Sequence, residues 1–139
     1  MGVYMCNKKN CLISSLVVFI VLFVTDFLIH GILLKGIYEE TASIWRPESE
    51  SLMWLMWVGY VVFAPVFVAI YKKGYDATKK GLGQGLRFGV LIGLLMSVLP
   101  TLVWYAVVPI PVSLAVYWFL GGMVQLIACG IALGLVYKP

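Results

Sequence analysis

Asp26 and His30 are the side chains in this sequence best suited to proton or cation chemistry. Asp26 accepts hydrogen bonds when ionised, and His30, the chain's only histidine, exchanges a proton near neutral pH. They stand four apart, which puts both on one face of a helix. They also lie inside the apolar run 12–34, where an ionisable group is costly and is by default a candidate functional site. Two readings stand side by side. In the first, Asp26 is protonated or hydrogen-bonded to Tyr60, Thr101 or backbone and only fixes helix packing, with His30 reaching water at the outer boundary. In the second, the pair accepts a proton or binds a cation at the base of an outward-facing cavity, with Glu39 or Glu40 above it.

Depth arguments widen this into a constellation. At 1.5 Å per residue, Asp26 lies roughly 4–5 Å outward of the centre of its run. The same arithmetic puts Tyr60, Ser97 and Gln125 within about 3 Å of the midplane, and Thr101 at nearly the depth of Asp26. Each apolar run therefore offers a polar group at similar depth. In a bundle of four helices Asp26, His30, Tyr60, Ser97, Thr101 and Gln125 are expected to converge.

Other chemistries find little support. One His and one Asp are two metal ligands, and a third would have to come from Glu39, Glu40 or Glu48, so no metal site is expected. A single histidine rules out bis-histidine haem ligation within one chain. Cys6 and Cys11 lack CxxC spacing and read as two tail thiols, and Cys129 reads as a small apolar filler. No Ser/His/Asp set is visible. GLGQG at 81–85 lacks the strand and lysine context of a nucleotide loop and reads as packing and flexibility. No cofactor is expected, and the chain reads as non-enzymatic.

The elements that must position these residues are four apolar stretches, at about 12–34, 52–71, 86–109 and 112–137. Each is long enough as a helix to cross a hydrocarbon core of roughly 30 Å. Hydrophobic residues make up 63% of the chain and charged residues 12%, against about 25% charged in soluble domains. Mean hydropathy is +1.02. The 139 residues leave room for one membrane domain, 1–139. The fold expected is all-α: an integral membrane four-helix bundle with a short outer interfacial helix after the first span. The first run is not read as a signal peptide. It is too long for one, no A-x-A-like site follows, and it carries Asp26 and His30.

Charge sets the orientation. Lys8, Lys9, Lys72, Lys73, Lys79, Lys80, Arg87 and Lys138 flank one side of the spans, whereas Lys35 and Arg46 flank the other among Glu39, Glu40, Glu48 and Glu50. The positive-inside rule puts both termini in the cytoplasm, in a bacterial inner membrane. The net charge of +4 is thus topological, and nucleic-acid binding is not expected. Trp45, Trp54, Trp57, Trp104 and Trp118 all fall near outer ends, and Tyr71, Tyr75 and Tyr137 near inner ones, as interfacial anchors do. An outer aromatic cage for a ligand is the sharper alternative.

The connections carry further signals. Ile37, Tyr38, Thr41, Ile44 and Trp45 recur at helical spacing and predict a short amphipathic helix ended by Pro47. Ser49 or Ser51 is a candidate N-cap for the second span. Pro65 and Pro100 predict bends in the second and third spans. Pro109 and Pro111 bracket a turn so short that the last two spans must form an antiparallel hairpin. The 72–85 connection holds four glycines and is expected to be pliable.

Gly81, Gly85, Gly89, Gly93 and Ser97 fall every fourth residue. Lipid supplies no hydrophobic drive between helices, so such a stripe lets backbones pack closely. Gly121 and Gly122 mark a counterpart in the last span. The partner is either another helix of this chain or a second copy.

The stretch DFLIHGILLKGIYEETASIWRPESE, at 26–50, resembles a group of short bacterial membrane proteins of unknown activity. Their first helix carries an Asp and a His, followed by a Trp-Arg-Pro turn. Here these are Asp26, His30, Trp45, Arg46 and Pro47, and GLGQGLRFG at 81–89 fits the same likeness. The resemblance implies no activity. The sequence reading is therefore a small non-enzymatic membrane protein that resides in the lipid bilayer and acts as an accessory or self-associating component, in a homo-oligomer or larger membrane complex. The alternative is a proton- or cation-coupled small transporter or ligand-binding protein using Asp26 and His30.

Overall fold

The computed structural model describes residues 7–138. Helix α1 runs Lys8–Asp26 and continues as a π-helix over Phe27–Leu33. Then come α2 (Lys35–Glu40), two 3-10 turns (Ala42–Ile44 and Glu48–Glu50), α3 (Met53–Gly74), α4 (Gly81–Val107) and α5 (Val112–Val136). Four of these helices, Lys8–Leu33, α3, α4 and α5, are long and apolar enough to cross a membrane. The protein is an all-α, four-helix, multi-pass membrane protein. Its outer surface is largely Leu, Val, Ile, Phe, Met and Trp, the surface a bilayer solvates.

Each helix buries one stripe. On α1 it is Ser14, Val18 and Leu22; on α3 it is Ala64, Phe67, Val68 and Tyr71. On α4 it is Gly85, Gly89, Gly93 and Ser97, and on α5 it includes Leu126, Cys129, Gly130, Leu133 and Gly134. These i, i+3 and i+4 spacings are those of helix faces. Helix α1 lies against both α3 and α5, and α4 lies against α5. The main core fills the half of the bundle nearer the chain termini, where Phe67 and Phe88 meet edge-on at 4.6 Å and Tyr71 meets Tyr137 at 5.3 Å between ring centroids.

The glycine stripe is taken up inside the chain. A Cβ on Gly81 would strike the Gly134 carbonyl, one on Gly85 the Gly130 carbonyl, and one on Gly89 would sit 2.7 Å from the Leu126 carbonyl. Gly93 faces Met123, and a Cβ on Gly122 would lie 2.5 Å from Ser97 Oγ. Gly121 stands apart from this seam, facing Ile29 of the π segment. The α4–α5 hairpin is closed by Pro109, around which Ile110 N–H donates to the Val108 carbonyl at 2.7 Å, a γ-turn.

Several expectations change. The 72–85 connection is mostly helix, with a loop only over 75–80. Gly81, Gly83 and Gly85 are helical, and α4 starts five residues before the predicted 86. Gln84 clamps the loop before it. It accepts from Asp76 N–H at 2.8 Å and donates to the Asp76 and Lys79 carbonyls at 2.9 and 3.1 Å. Neither Ser49 nor Ser51 caps α3, whose N-terminal boundary is Leu52 with no side-chain cap. Pro65 and Pro100 lie inside α3 and α4, the positions at which the bends are expected. Cys11 is disulfide-bonded rather than a free tail thiol, and Cys6 lies outside the described residues. Cys129 is free and buried.

Candidate functional site: a polar line at the α2 end of the bundle

The site begins where α1 changes its winding. From Phe27 to Leu33 the backbone is π-helical, ending in a Leu34 N–H to Ile29 carbonyl bond of 2.9 Å. Extra donors load the carbonyls of the turn before it. Thr25 Oγ1 donates back to Val21 at 2.6 Å, and Gln125 on α5 donates to Leu22 at 3.1 Å. Side chains that enter a helix ladder in this way perturb its regular bonding. π segments cost hydrogen-bond geometry and are frequent at functional sites. Here the segment starts directly after Asp26 and contains His30.

Asp26 and His30 face each other at 3.9 Å between Oδ1 and Nε2, with 18% and 37% of their side chains exposed. That distance is too long for a direct hydrogen bond and suits a loose ion pair or a bridging water. On its other side Asp26 faces the Tyr60 side chain on α3. His30 Nδ1 lies 2.6 Å from the Tyr38 hydroxyl on α2, and Trp118 Nε1 on α5 donates to that hydroxyl at 2.7 Å. A polar line therefore runs Tyr60, Asp26, His30, Tyr38, Trp118, with a 3.9 Å gap between Asp26 and His30, and it joins α3, α1, α2 and α5. Trp104 extends it to α4 by an edge contact with Trp118 at 6.3 Å.

Helix α2 is where the line leaves the bundle. Ile37, Tyr38, Ile44 and Trp45 fold over Leu34, Ile110, Leu114 and Ala115, closing that end of the bundle. Thr41 ends α2 by donating to the Ile37 carbonyl at 2.6 Å and takes the Trp45 indole N–H at 2.8 Å. Trp45 sits 5.8 Å from the Tyr38 ring and 5.9 Å from Trp118. Burial holds the Tyr38 phenol above its ordinary pKa, against the opposing pull of the Trp118 bond, so it stays protonated and able to donate. The tryptophans thus divide. Trp54, Trp57 and Trp104 stay about half exposed, whereas Trp45 and Trp118 turn inward onto Tyr38.

The six-residue constellation does not converge. Asp26, His30 and Tyr60 come together. Gln125 meets α1 through the Leu22 carbonyl, about one turn below Asp26. Ser97 is buried in the α4–α5 seam opposite Gly122. Thr101 lines a separate apolar groove of about 450 Å³ between α4 and α5, with Val98, Tyr105, Ala115 and Phe119. Equal depth was the basis for grouping them, and depth says nothing about which way a helix face turns. Glu39 and Glu40 are exposed on α2, where Glu39 pairs with Lys35 at 3.8 Å. Exposed pairs of this kind contribute little. Among the described residues no three His, Cys, Asp or Glu side chains gather as metal ligands would.

Tyr38 and Trp118 were missed as partners of His30. In sequence Tyr38 reads as part of the apolar face of a surface helix and Trp118 as part of an interfacial belt. The only available signal was that both are aromatic residues with a polar atom, at the same membrane end as the single histidine. No family model matches the chain, and neither a curated protein nor a solved structure is significantly similar to it.

Proposed function

We propose that this multi-pass membrane protein binds a proton or a small cation at Asp26 and His30, reached from the outer face, and that it carries out no covalent chemistry. The observation that supports this most strongly is the placement of two ionisable side chains 3.9 Å apart in a transmembrane helix, part-exposed, at the point where that helix becomes a π-helix. A carboxyl meant only for packing is best served by full burial. Asp26 instead keeps an open side and an unclosed gap to His30. In the proposed orientation both termini face the cytoplasm of a bacterial inner membrane and the polar line opens outward. The self-association reading loses its main motive, because Gly81, Gly85 and Gly89 already press against α5 of the same chain.

Ligand-dependent stabilisation tests the proposal. A ligand that binds only the folded form at 100 times its dissociation constant adds about 2.7 kcal/mol. The melting temperature of the wild type in lipid nanodiscs should rise with added sodium, potassium or calcium chloride, or shift with pH, and Asp26→Asn should abolish the response. The same response in Asp26→Asn as in the wild type would contradict it.

A further inference from the structure

We propose that protonation of His30 releases α2 from α5, through reversal of one hydrogen bond at the Tyr38 hydroxyl. The inference rests on reading Asp26 and His30 as an exchangeable site, and it names how that site is coupled to the outer cap.

Donor counting carries it. An indole Nε1–H can only donate, so Trp118 must donate into the Tyr38 oxygen at 2.7 Å. The Tyr38 hydrogen is then free to point along the other short contact, to His30 Nδ1 at 2.6 Å. Neutral His30 accepts there, which places its own proton on Nε2, facing Asp26 Oδ1. Every donor in the line is then directed at an acceptor.

A second proton on His30 breaks this order. Both ring nitrogens of an imidazolium donate. Nδ1–H must point at a Tyr38 oxygen that already accepts from Trp118, and the Tyr38 hydrogen is expelled from the axis. The groups around it offer no replacement. On α1 Asp26 lies on the far side of the imidazole, against Nε2. On α3 Tyr60 faces Asp26. On α5 Trp118 has no acceptor, and Tyr117 is exposed. On α2 itself Lys35, Glu39 and Glu40 are exposed, and Thr41 is engaged with Trp45 and the Ile37 carbonyl. The imidazolium is at the same time attracted to the Asp26 carboxylate. That attraction holds the ring between the two oxygens, so its Nδ1–H competes with the Trp118 N–H for the Tyr38 oxygen. With the Trp118 bond displaced, the cap keeps its apolar contacts through Ile37, Ile44 and Trp45.

The test follows the indole N–H of Trp118 by nitrogen-15 tryptophan labelling of the full chain in phosphatidylcholine nanodiscs, with Trp118→Phe for assignment. The His30 ring nitrogens are followed in parallel from about pH 8 to about pH 5, the range in which histidine titrates. After correction for intrinsic pH dependence, exchange of the Trp118 N–H should speed up about tenfold as His30 gains its proton, the factor expected for loss of one buried hydrogen bond. Trp54 exchange should not follow. In Tyr38→Phe the Trp118 N–H should exchange fast at both ends of the range, and in His30→Gln its rate should not depend on pH. A His30 that titrates while Trp118 exchange stays constant overturns the switch and leaves the site reading intact. A His30 that never titrates also overturns the switch. If the Asp26 carboxyl is inert to pH and cations as well, the site reading falls with it. The wild-type measurements stand alone if either variant fails to fold.

Discussion

Gly89 of α4 and Ile127 of α5 approach so closely that a methyl group added to Gly89 would lie 2.8 Å from the Ile127 Cα. Backbone cannot retreat as a flexible side chain can. Gly89→Ala should therefore lower stability by about 1–3 kcal/mol, the usual cost of overpacking. Gly83, on the same helix with nothing within 4 Å of its Cβ position, is the control, and Gly83→Ala should be neutral or slightly stabilising. Reversible unfolding in mixed micelles checks both. Replacing Gly89 and Gly93 by Leu should destabilise the chain itself, whatever its oligomeric state. Unchanged stability in that variant would mean that the α4–α5 seam is not formed as described.

The Gln125 amide holds the Leu22 carbonyl at the turn before the π segment. Gln125→Leu should cost about 1 kcal/mol, the net value of one such bond. It should also alter the environment of His30, which sits in that segment. Solid-state carbon and nitrogen shifts of His30 report the second effect. Stability loss without any shift at His30 would separate the winding of α1 from the site.

The Tyr38 contact to Trp118 makes the two inward tryptophans unequal to the outward ones. Trp118→Phe removes the hydrogen bond and should lower stability by about 1 kcal/mol. Trp54→Phe, at a lipid-facing position, should change it by a few tenths at most, as for substitutions that break no named contact. Thermal melts of the pair, side by side in one lipid, decide it.

At the opposite end the Asp76 loop gives a pH prediction. Thr78 donates to the Asp76 carboxylate through Oγ1 at 2.7 Å and N–H at 3.0 Å, and Lys79 pairs with it at 3.0 Å. These contacts, the Thr78 hydroxyl first, push the Asp76 carboxyl from 3.8 down to about 2. A depressed carboxyl stabilises the loop above its unfolded value and stops doing so as pH falls through its folded one. Protection of the Thr78 amide from exchange should therefore hold from neutral pH down to about pH 4 and vanish between about 4 and 2. Gln84→Ala should unclamp the loop and raise trypsin cleavage after Lys79 and Lys80. Cleavage no faster than wild type would contradict the clamp.

Most of the architecture was legible in the sequence, and the reason is physical. Membrane spans are dictated by length and hydropathy, two quantities a sequence carries directly. The hairpin between α4 and α5 followed from Val108–Pro111 being too short for anything else. The glycine register predicted a close helix contact but not its partner, because Gly134, Gly130 and Leu126 become its neighbours only through the turn geometry. The site was half legible. Asp26 and His30 stand out as ionisable groups in an apolar run. Tyr60 was grouped by depth, and so were Ser97 and Thr101, which face elsewhere. The link from His30 to Trp118 joins residues 88 positions apart through a helix of six residues. No local pattern encodes it. The π winding is equally hidden, since the turn before it also bonds Gln125 of α5.

The proposed orientation has its own check. Reporter domains fused after Pro139 should be active only on the cytoplasmic side, and those inserted at Glu48 only outside. The reverse pattern would place the polar line toward the cytoplasm.

The central claim is that Asp26 is an exchangeable group rather than a packing contact. Infrared difference spectroscopy of the carboxyl stretch in lipid, across pH and with Asp26→Asn as control, tests it most directly. The account predicts a band absent from Asp26→Asn that titrates with pH and moves when cations are added. A band that stays protonated at every pH and ignores cations would contradict it and make Asp26 a structural hydrogen-bond donor.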